Sequence, residues 1–341
     1  MFLTFLSRFR GVLVICALAN AAVSAADVLG AGATLPGPLY AKWAESFYKQ
    51  TKLKVNYQPI GSGGGVKQIL AGTVDFGATD DPVSTAALAR DGLIQFPTVL
   101  AAITVVANIR GINATELKLD GLIVSRIYLG EITRWNAAEI AAINPGVDLP
   151  DQVINVVRRA DGSGSTVLFT EFLAAANPSW REKVGVAKSV SWPVGIGGKG
   201  NEGVATFVKR IPGSIGYVEL LTAVKANLQP VKLLNPSGVF VKPTPESVVA
   251  AALSARFDPA NGLSASLINQ PGADAWPLAA TTYVLFRRAD LGKETSQKAL
   301  QFFRYSLNQG SADARALLYV PLPDAVRVQV EALIAATNTP G

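Results

Sequence analysis

The run Arg158-Arg159-Ala160-Asp161-Gly162-Ser163-Gly164-Ser165-Thr166 constrains this chain more than any other stretch. Val153 to Val157 before it is mostly apolar and β-branched, as a buried strand is. Val167-Leu168-Phe169 with Phe172-Leu173 after it repeats at helical spacing. The run therefore sits at a strand-to-helix turn, where backbone N–H groups and the positive end of a helix dipole face whatever lies above. Gly162 and Gly164 let the backbone come close, and Ser163 and Ser165 add hydroxyl donors. Residues two apart on a strand share a face, so Arg159 and Asp161 point one way and Arg158 the other. One cation, one carboxylate and a nest of neutral donors suit a small anion held in place, including one that carries a proton.

The first 25 residues read as a signal peptide rather than as part of the fold. Arg8 and Arg10 make a basic start, and Gly11 to Ala22 is apolar but too short to span a bilayer. Val23-Ser24-Ala25 fits a cleavage site, so the mature chain is expected to begin at Ala26 and to be exported and soluble. Cys16, the only cysteine, lies in that segment, which leaves the mature chain without disulfide or thiol chemistry. The sequence has no histidine. That removes Ser-His-Asp and Cys-His catalysis, histidine general bases and most zinc sites. Arg8 and Arg10 are two of 31 basic residues, so 29 face 25 acids in the mature chain. This mild basicity is spread out, without the clustering and interleaved aromatics of a nucleic-acid surface.

Short apolar runs alternate with helical patterns along the chain. Strand-like runs are Lys54-Tyr57, Phe76-Ala78, Val99-Ala107, Val153-Val157, Ile215-Val218 and Tyr283-Phe286. Helix-like runs include Leu39-Tyr48, Val66-Ala71, Val167-Ala176, Val204-Lys209, Glu246-Ala255, Glu294-Gln309 and Asp324-Ala336. The alternation predicts an α/β fold with mainly parallel sheets. Val99-Ala107 suits a strand leaving one domain for another, and Ala279-Phe286 suits the return crossing. The expected division is residues 1–25 as signal, 26–99 with 279–341 as one lobe, and 100–278 as the other.

Two more glycine corners precede helical patterns, at Gly30-Ala31-Gly32-Ala33-Thr34-Leu35-Pro36 and at Ile60-Gly61-Ser62-Gly63-Gly64-Gly65. A capped helix start explains any one of them, but three beside Arg159 and Asp161 point to a site. The familiar nucleotide motifs fail. Gly61 to Gln68 has Val66-Lys67 where a phosphate loop needs Gly-Lys-Ser/Thr. Gly195-Ile196-Gly197-Gly198-Lys199-Gly200 matches a dinucleotide pattern but follows Trp192-Pro193 rather than a clean strand, and a capped helix start at Asn201 explains it equally. In Val74-Asp75-Phe76-Gly77-Ala78-Thr79-Asp80-Asp81-Pro82, Asp80 stands at the carboxyl end of a short buried strand, where ligands of open α/β sheets lie. Asp81 is expected to cap the turn that follows.

These pieces, in this order, resemble the periplasmic phosphate-binding proteins of high-affinity phosphate ABC transporters. The likeness runs through Leu29 to Ala44, Val55 to Pro82, Asp91 to Val99, Tyr128 to Trp135, Asn155 to Thr170, Trp192 to Asn201, Pro212 to Glu219 and Gly272 to Tyr283. It implies a two-lobed type II periplasmic binding protein fold whose α/β lobes, joined by crossing hinge strands, close on a desolvated anion. It implies that Thr34, Leu35, Ser62 and Asp80 line one lobe, and that Arg159, Asp161, Ser163, Gly164 and Ser165 line the other. In the family, the aspartate matching Asp80 accepts a hydrogen bond from the phosphate proton, and the arginine matching Arg159 pairs with the residue matching Asp161. Leu35 stands where a Phe is expected, Gly63 where a Ser is and Ser165 where a Thr is; none of the three removes a charge or a donor. The implied partners are inorganic phosphate and a membrane-embedded permease, for a monomer with no cofactor, metal or nucleic acid. Three other readings stand beside it: a binder of another tetrahedral oxyanion such as sulfate or molybdate, an exported phosphate-ester hydrolase, and a structural surface protein. Asp80 argues against the first, the missing histidine against the second, and Arg159, Asp161 and Asp80 together against the third.

Overall fold

Eight strands form the continuous path of a ten-stranded main sheet: β1 (Val28–Gly32), β2 (Val55–Pro59), β3 (Phe76–Thr79), β4 (Leu93–Asn108), β5 (Asn155–Arg159), β6 (Ile196–Gly198), β7 (Ser214–Glu219) and β8 (Ala279–Arg287). The computed structural model describes residues 26–336, so the expected signal peptide and its Cys16 lie outside the described residues. The strands run in the order β2-β1-β3-β8-β4-β7-β5-β6. The three at each end are parallel to one another, β1 with β2 and β3, and β5 with β6 and β7. The centre is antiparallel, because β8 pairs with β3 and β4, and β4 with β7. The expectation of mainly parallel sheets thus holds for the two ends, whereas the central pairs run against each other because β4 and β8 traverse the sheet in opposite directions.

β4 explains how the two ends are joined. Its 16 residues are buried except Asn108. A continuous apolar run is what a strand covered on both faces needs. Leu93 to Ala102 pairs with β8, and Ile103 to Asn108 pairs with β7, so the strand changes partner between Ala102 and Ile103. Trp276 pins that point, donating from Nε1 to the Ile103 carbonyl at 2.9 Å. Pro97 lies within β4, and the pairing with β8 slips there: Tyr283 faces Pro97 and Thr282 faces Val99, which leaves Thr98 as an extra residue. Proline has no N–H to give a ladder, so a bulge at this place is expected.

Helices start where strands end. α1 (Gly37–Thr51) follows β1, α2 (Ser62–Ala71) follows β2, α3 (Gly164–Ala176) follows β5 and α4 (Gly200–Arg210) follows β6. α1 buries Leu39, Tyr40, Trp43 and Phe47, a stripe at helical spacing. Trp43 donates from Nε1 to the Gly310 carbonyl at 2.9 Å, at the end of α5 (Glu294–Gln309). Under the first end of the sheet, the rings of Phe76 and Phe303 meet edge to face at 4.9 Å. Under the other end, Phe169 of α3 stacks on Tyr217 of β7 at 4.1 Å. Such pairs contribute packing beyond the apolar area they bury. No helix among the described residues is long and apolar enough to cross a membrane.

β7 ends on a buried acid. Glu219 Oε1 accepts the Leu221 N–H at 2.6 Å, and Oε2 accepts the Thr222 N–H at 3.0 Å and the Thr222 hydroxyl at 3.2 Å. Burial pushes this carboxyl up to about 7, aided by the charge of Glu202 and opposed by those three hydrogen bonds. A folded-state value above the unfolded one means that the folded protein keeps a proton the unfolded chain has released. The resulting stability is fully present below the ordinary glutamate value and is lost as pH rises through about 7. Glu219 alone is therefore expected to remove about 2.5 kcal/mol of unfolding free energy from the unliganded protein between about pH 5 and about pH 8. Glu219→Gln should flatten much of that slope. Denaturant unfolding at several pH values checks this, and a wild-type stability that does not fall across that window contradicts it.

Candidate anion-binding site

The four helix starts converge on one place, and the contacts between them define it. Gly63 N–H donates to the Gly162 carbonyl at 2.9 Å, joining the start of α2 to the turn before α3. Gly164 lies so close to the other corner that a Cβ there would sit 2.6 Å from Ser62 Oγ and 2.8 Å from Asp80 Cβ. Gly61 has φ +93°, and a Cβ on it would lie 2.5 Å from Asp161 Oδ2. Only glycine fits such positions. A Cβ on Gly200, at the start of α4, would meet Thr34 Cγ2 at 3.5 Å, which brings the approach to α1 into the same group.

Arg159 and Asp161 share a face, as strand alternation requires. Arg159 Nε donates to Asp161 Oδ1 at 2.8 Å and Nη2 donates to Oδ2 at 2.5 Å. Arg159 is only 3 % exposed, so its charge is buried with its partner. The Gly200 N–H also donates to Asp161 Oδ1, at 3.0 Å. Burial works to raise the Asp161 carboxyl, but the guanidinium and the Gly200 N–H outweigh it and hold the group below its ordinary range. Arg158 does not join this pair; its Nη1 contacts the Arg159 carbonyl at 3.4 Å.

Asp80, just beyond β3, is 2 % exposed. Its Oδ1 accepts the Thr282 hydroxyl at 2.7 Å, and its Oδ2 lies 3.5 Å from the Ser165 hydroxyl. Its own N–H donates to Ser62 Oγ at 3.2 Å. Burial raises its carboxyl to about 6, opposed by Thr282, Arg159 and Ser165 and aided by Asp81. The group is thus largely ionised at neutral pH and still easily protonated.

The other expected residues fall into the same region. Ser163 caps α3, its Oγ accepting the Thr166 N–H at 3.3 Å and keeping its own proton to donate. Ser62, Gly164 and Ser165 occupy the first turns of α2 and α3. Thr34 is buried, and its Oγ1 has no hydrogen-bond partner among the described residues. Leu35 buries its side chain and gives its carbonyl to the Tyr319 hydroxyl at 2.7 Å, so what it can offer an anion is its N–H. With Asp80 ionised, the three charged groups sum to one negative charge, and four helix starts and several hydroxyls surround them. Attraction for an anion would come from these neutral dipoles.

Two neighbours escaped the sequence reading. Asn201, in the first turn of α4, is 1 % exposed; its Oδ1 lies 3.5 Å from Arg159 Nη1 and its Nδ2 has no hydrogen-bond partner among the described residues. From the sequence it reads only as a helix start, because the strand that precedes it, β6, is three residues long. Thr282 sits in β8, 202 residues from its partner Asp80. Its one signal is the pair Thr281-Thr282 in an otherwise apolar strand. Asp81, expected to cap the turn that follows, instead pairs with Lys188, and Ser84 caps the helix that begins beyond Pro82 and Val83.

Residues 19–309 match the model of the PBP superfamily domain. The chain is 45 % identical over 308 residues to the phosphate-binding protein PstS of Pasteurella multocida, covering 90 % of each chain. It is 36 % identical to that of Methanocaldococcus jannaschii, covering 86 % of this chain and 82 % of the relative. Among solved structures, it resembles a high-affinity periplasmic phosphate-binding protein, PfluDING, bound with phosphate, at a TM-score of 0.71 and 22 % identity, covering 90 % of this chain and 93 % of that one. It also resembles a putative phosphate ABC transporter substrate-binding protein of Clostridium perfringens, at a TM-score of 0.64 and 19 % identity, covering 87 % and 99 %. The fold is therefore that of the periplasmic binding proteins, and the chain belongs to the PBP superfamily and, within it, to the PstS family of phosphate-binding proteins.

Proposed function

We propose that this protein binds inorganic phosphate in the periplasm, as a monomer, and delivers it to the membrane-embedded permease of a phosphate ABC transporter. Membership of the PstS family supports this, and one observation of the site carries it. A buried carboxylate, Asp80, stands among neutral donors beside an arginine already balanced by its own aspartate. A bare anion meets repulsion from that carboxylate, whereas an anion bearing a proton can donate to it. Phosphate near neutral pH keeps a proton and sulfate keeps none. In this reading Thr34, Leu35, Ser62, Ser163, Gly164 and Ser165 donate through hydroxyl or N–H groups. Arg159 donates through its guanidinium, held in place by Asp161, and Asp80 accepts. Each bond to the charged ligand contributes about 1.5–3 kcal/mol.

The change of partner along β4, between Ala102 and Ile103, supports two lobes hinged along β4 and β8, a few residues beyond the division expected from the sequence, residues 26–99 with 279–341 and residues 100–278. The proposed ligands divide between them, 34–80 on one side and 159–165 on the other. Closure over the anion would exclude water and strengthen every hydrogen bond to it. Small-angle scattering should show a smaller radius of gyration in phosphate than without it. Identical curves at saturating phosphate contradict a clamp.

Calorimetric titration tests the ligand and its discrimination together. Wild type should bind phosphate and exclude sulfate by roughly 10⁴–10⁵-fold, the range for sites built around one substrate hydroxyl. Asp80→Asn supplies an amide that can donate, and should lose phosphate affinity while gaining sulfate competition. Arg159→Ala should bind far more weakly, since it also leaves Asp161 buried and unpaired near the anion. Arg158→Ala should bind like wild type. Sulfate bound as tightly as phosphate by wild type would overturn the role given to Asp80.

A further inference from the structure

Asp80 has two carboxylate oxygens in different situations. Oδ1 receives a short hydrogen bond from the Thr282 hydroxyl, at 2.7 Å, while Oδ2 has only the long contact from Ser165, at 3.5 Å. The backbone accounts for the first of these. β8 pairs with β3 so that Tyr283 faces Thr79, the last pair of this antiparallel ladder, and Thr282 and Asp80 are the next residue on each side of it. The bulge at Thr98 falls opposite the same residue on the other side of β8. Thr98 Oγ1 donates to the Thr282 carbonyl at 3.2 Å, and Thr98 shares a 2.6 Å hydrogen bond with the Tyr40 hydroxyl. Thr282 is fully buried, so its single hydroxyl proton has no water to turn to. Bulges beside functional sites re-aim side chains in this way.

We propose that Thr282 is a specificity-determining positioning residue, whose hydroxyl occupies Oδ1 of Asp80 and thereby leaves Oδ2 as the oxygen that accepts the anion's proton. The inference rests on the phosphate reading of the site and adds a residue to it. A donor on Oδ1 favours the ionised carboxylate, the form that accepts from a protonated anion and repels a bare one. Arg159 from β5, Asp81 beside it and the buried hydroxyls of Tyr40, Tyr57 and Tyr319 interact electrostatically with Asp80, and Glu171, Arg256 and Tyr283 line the same cavity as it does. Arg159 and the long contact from Ser165 also favour ionisation, and Thr282 does so more strongly than either. Thr282 is therefore a main support of the charge on which discrimination depends.

Thr282→Val keeps the shape and β-branching and removes only the donor; Thr282→Ser keeps the donor. Phosphate affinity and sulfate competition are measured against pH for both variants and for wild type. In Thr282→Val, the pH midpoint of phosphate-over-sulfate selectivity should rise by about one unit, because loss of a bond to a charged acceptor favours protonation. At neutral pH its selectivity should fall about tenfold. Thr282→Ser should stay close to wild type. A role confined to packing would weaken phosphate and sulfate alike and leave the midpoint in place, and that result overturns the proposal. If Thr282→Val does not fold, Thr282→Ala against Thr282→Ser makes the same comparison. Wild type and Asp80→Asn separate the two levels of the argument. A wild type that binds no phosphate removes the function itself. A wild type that discriminates, with a Thr282→Val that discriminates equally at the same midpoint, removes only Thr282.

Discussion

Arg159 is buried, and a buried charge must be balanced where it sits. Asp161 does this through two parallel hydrogen bonds, which fix the plane of the guanidinium as well as its charge. The rest of the site follows from that pair. Asp161 reaches the Gly200 N–H and so ties the start of α4 to the turn before α3. Asp161 Oδ2 lies against Gly61, and Gly162 accepts from Gly63, so the start of α2 closes on the same turn. Once the arginine is neutralised, an anion placed here would be held by dipoles and hydroxyls rather than by net charge. A site of that kind can reward the right pattern of protons without attracting every anion.

The fold supplies what the pair cannot. Parallel strands at each end of the sheet deliver helix starts to the same edge, and β4 and β8 carry the chain between the ends. The crossing strands do more than connect. β8 places Thr282 beside Asp80, and the bulge opposite it in β4 is located by Pro97. Selectivity in this account therefore depends on the strands about which the lobes are proposed to move.

Much of the site was legible in the sequence because it is local. Arg159, Asp161, Ser163, Gly164 and Ser165 lie within seven consecutive positions, and alternation alone puts Arg159 and Asp161 together. Thr34, Ser62 and Asp80 stand at strand ends that precede helices or turns, a position readable from composition. β1 does not read as a strand, since Val28-Leu29-Gly30-Ala31-Gly32 looks like part of a glycine corner; its glycines face the Phe76 ring and the Ala78 backbone. Thr282 and Asn201 could not be found by local reading. Their contacts with Asp80 and Arg159 span 202 and 42 residues, and only register across the folded sheet brings them in.

The most direct test of the account is a crystal structure of the protein with phosphate bound. The anion is expected between the starts of α1, α2 and α3. One of its oxygens should lie within hydrogen-bond distance of Asp80 Oδ2, with Thr282 still on Oδ1 and Arg159 still paired with Asp161. An anion bound elsewhere, or one bound there with no oxygen in reach of Asp80, would contradict it.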